Sequence, residues 1–79
     1  MHYMSKPRIL FVDDERLILN SLKRITHKLD AEIITAESGS LALEILSKDP
    51  VDIIVSDMKM PKMNGIQLLE QVAKIAPET

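Results

Sequence analysis

The sequence contains no cysteine, only two glycines, and only two aromatic residues, Tyr3 and Phe11. Without cysteine there are no disulfides, thiolate zinc sites or cysteine nucleophiles, so carboxylates are the main groups that could hold a metal. With few aromatic residues and a net charge of −2, the segment offers neither stacking platforms for bases nor a basic surface for phosphates. We therefore expect no direct nucleic-acid binding by this segment.

Long apolar runs are also missing from the sequence. No stretch approaches the ~18–20 apolar residues needed to cross a bilayer, and the first seven residues carry no signal-peptide core. We therefore expect a cytoplasmic protein that does not enter the membrane. The 79 residues, 46% hydrophobic and 28% charged, suit one ordered domain at most, because so short a chain buries only about 60–65% of its unfolded surface. Residues 1–6 are expected to be flexible.

The chain is predicted to form three strands that alternate with three helices. The strands are short apolar runs at residues 8–12, 32–36 and 51–56. The helices, recognised by apolar residues at helical spacing, cover residues 15–29, a segment from Ser38 to Asp49-Pro50, and a segment from Asn64 to Pro77. Their apolar faces are Ile18, Leu19, Leu22, Ile25 and Leu29, then Leu41, Ala42, Ile45 and Leu46, then Ile66, Leu68, Leu69, Val72 and Ile75. This order predicts parallel strands joined by right-handed crossovers, with helices on both faces of the sheet.

Three aspartates follow strands of this predicted sheet. Asp13 and Asp14 follow the first strand, and Asp57 follows the third. In open α/β sheets the functional crevice lies beyond the carboxyl ends of the strands, and with strand order 2-1-3 the first and third strands are neighbours about 4.8 Å apart. We expect the carboxylates to converge and repel one another, which favours a bound cation. Oxygen ligands with room for water favour Mg²⁺.

Each of these aspartates also has an ordinary structural interpretation. Asp13 or Asp14 taken alone is expected to cap the following helix, and Asp57 taken alone could be an ordinary loop residue. The three residues together, at the ends of neighbouring strands, favour a functional site.

The segments ILFVDDE and VDIIVSDMKMPKMNG resemble the receiver domain of bacterial two-component response regulators, and the similarity runs from about Lys6 to the end of the chain. The resemblance implies an α/β, flavodoxin-like (CheY-like) parallel sheet of order 2-1-3, in which residues 1–79 supply the first three βα units of a single domain. It also implies a signalling module rather than an enzyme. Such a module takes a phosphoryl group from a histidine kinase, with Mg²⁺ as its cofactor.

The same resemblance assigns a role to each residue of the site. It makes Asp57 the phosphoacceptor and a metal ligand, Asp14 a direct magnesium ligand, and Asp13 a ligand that acts largely through water. The backbone carbonyl of Lys59 is a further ligand, while the side chain of Lys59 is expected to reach solvent.

The loop after the phosphoacceptor has its own expected features. Pro61 is expected to stiffen it, and Gly65 to permit a tight turn into the third helix. Met58, Met60 and Met63 are expected to pack beside the site rather than bind the metal, because thioethers are soft ligands and Mg²⁺ is a hard ion.

Two functional residues of the family have no counterpart in this sequence, namely a Ser or Thr after the fourth strand and a Lys after the fifth. An alternative is therefore a switch-incompetent fragment that acts as an interaction module. Such a chain is expected to form a homodimer through the exposed third strand or the bared face of the first helix. A third alternative, an enzyme like the dehalogenase-type phosphatases, requires an Asp-x-Asp pair that Asp13-Asp14-Glu15 does not provide.

Overall fold

A computed structural model describes residues 6–57, 59 and 62–75. These residues form, in chain order, β1 (Arg8–Val12), α1 (Arg16–Thr26), β2 (Glu32–Ala36), α2 (Gly39–Lys48), β3 (Ile53–Ser56) and α3 (Gly65–Ile75). The three strands are parallel and lie in the order β2-β1-β3, which confirms the predicted α/β fold. The predictions for residues 1–5, Met58, Met60, Pro61 and Pro77 lie outside the described residues.

The register of the sheet aligns the carboxyl ends of all three strands. Val12 of β1 lies opposite Ala36 of β2 and Ser56 of β3. One residue further on, the Asp13 N–H donates to the Ala36 carbonyl at 3.1 Å and the Asp57 N–H donates to the Val12 carbonyl at 2.9 Å. Asp13 and Asp57 therefore lie side by side, just beyond the carboxyl ends of the neighbouring strands β1 and β3.

The main hydrophobic core lies between the sheet and helices α2 and α3. It consists of buried residues from β1, β2, α2, α3 and the segment before β3: Leu10, Val12, Ala36, Ala42, Leu46, Val51, Leu68 and Val72. Successive residues of a strand point to opposite faces, so Phe11, which is buried but outside this cluster, faces the other side. Helix α1 packs there against β1 and β2 and contributes the buried Leu19. Helices thus occupy both faces of the sheet, as predicted.

Helix α1 is shorter than predicted, and its apolar face is mostly exposed. It ends at Thr26 instead of residue 29, where the Thr26 hydroxyl turns back to donate to the Leu22 carbonyl at 2.6 Å. Leu19 is the only buried member of its predicted apolar face, whereas Ile25 is 74% exposed and Ile18 and Leu29 are exposed as well. The apolar face of α1 is therefore mostly exposed, because the described residues do not cover its other flank.

The predicted cap of α2 is confirmed by its hydrogen bond. The Ser38 hydroxyl accepts from the Leu41 N–H at 3.1 Å and satisfies one of the free donors of the first turn. At the other end, the Asp49 N–H donates to the Ile45 carbonyl, and the helix stops before Pro50 as predicted. Leu41, however, is 45% exposed, so its assignment to the apolar face was wrong, because that face is filled by Ala42 and Leu46.

Replacing Ser38 with alanine is expected to lower the free energy of unfolding by about 0.5–2 kcal/mol, because the Leu41 N–H loses its acceptor. Urea denaturation followed by circular dichroism measures this change. Ser40→Ala, at an exposed position two residues later in the same helix, is the matched control. Equal midpoints for the two variants would contradict the capping role.

Strand β3 begins at Ile53, two residues later than predicted. The two residues before it, Val51 and Asp52, have different roles. Val51 is buried in the core, while Asp52 pairs with Arg8: the Arg8 N–H donates to Asp52 Oδ2 at 2.8 Å, and the Asp52 N–H donates to the Arg8 carbonyl at 2.9 Å. The side chain of Asp52 thus accepts a hydrogen bond from the first residue of β1 and joins the amino ends of β1 and β3.

Helix α3 begins with a reciprocal pair of hydrogen bonds. The Gln67 N–H donates to Asn64 Oδ1 at 2.8 Å, and the Asn64 N–H donates to Gln67 Oε1 at 2.9 Å. This is a capping box, in which two otherwise free donors are satisfied by each other's side chains. It confirms Asn64 as the predicted cap. No helix in the described part of the chain has the length and apolar character needed to cross a membrane.

Candidate metal centre

Three carboxylates meet at the carboxyl edge of the sheet. One oxygen from each of Asp13, Asp14 and Asp57 can be chosen so that all three lie within 4.8 Å of one another. Asp13 and Asp57 are half-buried, and Asp14 is exposed. The structure therefore brings together all three aspartates that the sequence placed at neighbouring strand ends.

The convergence of these carboxylates has an electrostatic cost. Two unit charges 4.8 Å apart repel by about 0.9 kcal/mol in bulk water and by about 3.5 kcal/mol at an effective dielectric constant of 20. The exposure of Asp14 brings its pairs towards the lower figure. A repulsion of this size among three groups is relieved by a divalent cation, which is the reason such a cluster suits a metal.

Asp13 is held in place by a local hydrogen bond. Its Oδ1 accepts from the Glu15 N–H at 2.9 Å, and the chain turns there from β1 towards α1. The residue that precedes α1 is Glu15, and its side chain makes no capping bond. The ordinary interpretation of Asp13 as the cap of this helix is therefore not supported.

Asp57 is fixed by the start of the following loop. The Lys59 N–H donates to Asp57 Oδ1 at 3.3 Å, and the Ser56 hydroxyl donates to the Asp57 carbonyl at 3.0 Å. Lys59 is exposed, in agreement with the expectation that its side chain reaches solvent. The role of its backbone carbonyl as a metal ligand stays a prediction.

The end of this loop corrects one prediction and agrees with another. Among the described residues, Lys62 is the non-glycine residue with a left-handed backbone, at φ 70°, and no glycine has a positive φ. The tight turn therefore lies at Lys62 rather than at Gly65, which is buried as the first residue of α3. Met63 packs against the core, as expected for a residue that does not bind metal.

An ion pair beside the site was missed by the sequence analysis. Arg16 donates through Nε at 3.1 Å and through Nη2 at 2.6 Å to Glu37 Oε2, joining the start of α1 to the turn after β2. Both side chains are substantially exposed, so the pair contributes at most about 1 kcal/mol. The sequence did offer a signal for this ion pair, because two residues of opposite charge follow neighbouring parallel strands.

The donor set fits magnesium in its chemistry. It offers carboxylate oxygens and no sulfur or imidazole, which suits a hard cation. The three oxygens lie within 4.8 Å of one another, so one hard cation would fit among them.

Comparison with known proteins supports one family. The model of the response regulator receiver domain matches residues 9–79. The chain is 35% identical over 69 residues to the transcriptional regulatory protein GlrR of Escherichia coli, covering 87% of this chain and 16% of that protein. It is 35% identical over 72 residues to the sporulation initiation phosphotransferase F of Bacillus subtilis, covering 91% of this chain and 58% of that one.

A solved structure shows the same architecture. The signal receiver domain of an HD domain-containing protein from Pseudomonas fluorescens superposes with a TM-score of 0.90 at 31% identity, covering 95% of this chain and 60% of that chain. The chain thus spans less than two thirds of the length of these relatives. The family model, the shared sequence and the shared fold agree with the cluster of aspartates at the sheet edge. The chain therefore belongs to the response regulator receiver domain family.

Proposed function

We propose that this chain is the N-terminal portion of a single receiver domain in a two-component signalling protein, in which Asp57 accepts a phosphoryl group from a histidine kinase. The observation that carries the proposal is the convergence of Asp13, Asp14 and Asp57 within 4.8 Å. Family membership supports it, and so does a relative named as a phosphotransferase. A signalling role and a cytoplasmic location remain predictions.

Each residue of the site has a separate role in the proposed phosphoryl transfer. A carboxylate oxygen of Asp57 forms a bond to phosphorus while the P–N bond to the kinase histidine breaks, and the imidazole leaves with the electron pair and takes up a proton. Asp13, Asp14, Asp57 and the Lys59 carbonyl would hold Mg²⁺, Asp14 directly and Asp13 largely through water. The ion, when bound, offsets the negative charge of the carboxylate and of the phosphoryl oxygens. The bond from the Lys59 N–H to Asp57 Oδ1 holds that oxygen and leaves the other free to attack.

The proposal is tested with acetyl phosphate as donor. In the presence of millimolar Mg²⁺ the chain is expected to gain one phosphoryl group, seen in its intact mass. The same reaction in excess EDTA is expected to give no gain. A chain that gains no phosphoryl group under either condition, while circular dichroism shows it folded, would contradict the proposal.

Magnesium alone is expected to stabilise the fold, because it binds the folded state and relieves the repulsion among the three aspartates. At a concentration about ten times Kd the gain is about 1.4 kcal/mol, and for a domain of this size each kcal/mol raises Tm by roughly 4–8 °C. Asp14→Ala is expected to remove this response. Thermal melting in Mg²⁺ and in EDTA measures both.

The matched control for the magnesium response is Asp30→Ala, which removes the same charge from an exposed residue that pairs with Lys6 at the other end of the sheet. It should keep the full response. If Asp14→Ala and Asp30→Ala respond equally to Mg²⁺, the ion does not bind at the aspartate cluster.

The outer edge of β3 favours a second candidate function, self-association of the 79-residue chain. In the described sheet the edge of β3 away from β1 pairs with no strand, and Ile53 and Val55 are 48% and 47% exposed. A second copy can add its own β3 edge antiparallel across a two-fold axis and so double the sheet. The bared face of α1, which carries Ile25, is the other dimer surface.

Light scattering after gel filtration tests this candidate. A folded species of dimer mass at tens of micromolar supports it, and a folded monomer at that concentration contradicts it. Ser56→Pro removes an N–H that faces the outer edge, because the N–H of the next residue, Asp57, donates to β1. This change is expected to lower the dimer mass before it unfolds the chain, if the strands pair.

A further inference from the structure

The first residue of α2 makes a close approach to the loop that follows the phosphoacceptor. Gly39 is buried, and the space beside its Cα is filled by Met63. A Cβ built on Gly39 would lie 2.7 Å from Met63 Sδ and 3.1 Å from both Cβ and Cγ of Met63. Real Cβ atoms do not approach other atoms to 2.7 Å. The side chain of Met63 therefore occupies the space that the Cβ of any other residue at position 39 would need.

Met63 connects the loop between β3 and α3 to helix α2. The loop is fixed at its start by the hydrogen bond from the Lys59 N–H to Asp57. It is fixed at its end by the capping bonds of Asn64. Between these points Lys62 turns the backbone into the left-handed region, and the next residue, Met63, sits on Gly39 and on the core. This contact joins the loop to α2.

We propose that Gly39 is a positioning residue for the metal site: it lets Met63 pack on the first turn of α2, and this contact holds the end of the loop that begins with Asp57 and Lys59. The inference rests on the proposed function, because it assumes that the loop supplies metal ligands. Gly39 touches neither the metal nor the phosphoryl group and acts through Met63.

Ordinary helix energetics alone predict that replacing Gly39 with alanine would stabilise the protein. Glycine inside a helix is less favourable than alanine, so Gly39→Ala should stabilise α2 if the site were otherwise neutral. Here the added Cβ collides with the flexible Sδ of Met63 at 2.7 Å and makes tight contacts at 3.1 Å with its Cβ and Cγ. The Sδ atom can rotate away, but the Cβ of Met63 moves only with its backbone, which must give by a few tenths of an ångström. We expect this shift to disturb the metal ligands at the start of the same loop.

The test is a titration of each folded variant with Mg²⁺ alone, followed by the change in Tm or by calorimetry. Gly39→Ala is expected to bind Mg²⁺ about tenfold more weakly, the lower end of the losses seen when residues that orient metal ligands are changed. Ser40→Ala, one residue later on the same turn and exposed, is the matched control and should bind as the unmodified chain does. A Gly39→Ala variant that binds Mg²⁺ as tightly as Ser40→Ala would overturn the inference.

A double-mutant comparison separates positioning from a general loss of stability. Met63→Ala removes the Sδ and Cγ contacts and is also expected to weaken Mg²⁺ binding, while in its background Gly39→Ala should cost less, because only the Cβ contact at 3.1 Å remains. An equal loss from Gly39→Ala in both backgrounds would overturn the inference. If Gly39→Ala alone does not fold, Met63→Ala still decides, since unchanged Mg²⁺ affinity in that variant overturns it. If the unmodified chain itself binds no Mg²⁺, the proposed function fails rather than this inference alone.

Discussion

Asp57→Asn is expected to abolish the magnesium-dependent gain of a phosphoryl group from acetyl phosphate. The amide lacks the negative charge that makes the carboxylate oxygen a nucleophile, and it weakens the metal site by removing one of three charges. Asp57 is the aspartate that follows β3, and its Oδ1 already accepts from the Lys59 N–H. Asparagine has nearly the same shape, so the fold should survive. Intact mass after reaction, with circular dichroism as a check of folding, measures the effect.

The matched control is Asp49→Asn, at an exposed aspartate that follows α2. This variant has the same change of charge and should gain the phosphoryl group as the unmodified chain does. An adduct that forms as readily on Asp57→Asn as on Asp49→Asn would show that another residue is the acceptor.

Leu10→Ala is expected to cause the largest loss of stability among single core changes. Leu10 lies in the central strand and is 0% exposed. Removing a fully buried leucine side chain costs about 2–5 kcal/mol, because the transfer energy is lost and a cavity remains. The whole stability expected for 79 residues is only about 4–12 kcal/mol. We therefore expect the urea midpoint to fall steeply, and the variant to be partly unfolded without denaturant if the chain lies near the lower bound.

Ile25→Ala is the control for this change, because Ile25 is also a large apolar residue but is 74% exposed on α1. It should shift the urea midpoint little. Equal losses in the two variants would mean that the core does not lie on the α2 and α3 face of the sheet, or that another chain covers α1.

Much of the fold was predictable because it depends on local pattern. The apolar run of β1 and the β-branched run of β2 predicted strands with the observed bounds. Ser38 and Asn64 were identified as caps because a short polar side chain before an apolar helical pattern can satisfy free N–H groups. The meeting of Asp13 and Asp57 followed from strand order alone, since parallel strands end at one edge of the sheet.

The features that sequence could not give depend on contacts between distant segments. The end of α1 at Thr26 and the exposure of Ile25 depend on how much of the sheet that helix covers, which helical periodicity does not state. The left-handed backbone at Lys62 has no residue signal, because glycine and asparagine are the residues that favour it. The contact between Gly39 and Met63 joins the first residue of α2 to the loop before α3, and nothing in either segment alone predicts it.

The most direct test of the central claim is to locate the phosphoryl group that the unmodified chain receives from a P–N donor. Phosphoramidate carries the same kind of bond that a histidine kinase presents, and it requires no knowledge of the partner. After reaction in Mg²⁺, peptide mass spectrometry is expected to find one phosphoryl group on the peptide that contains Asp57, and none after reaction in EDTA. A phosphoryl group on any other residue, or one whose formation does not depend on Mg²⁺, would contradict the account.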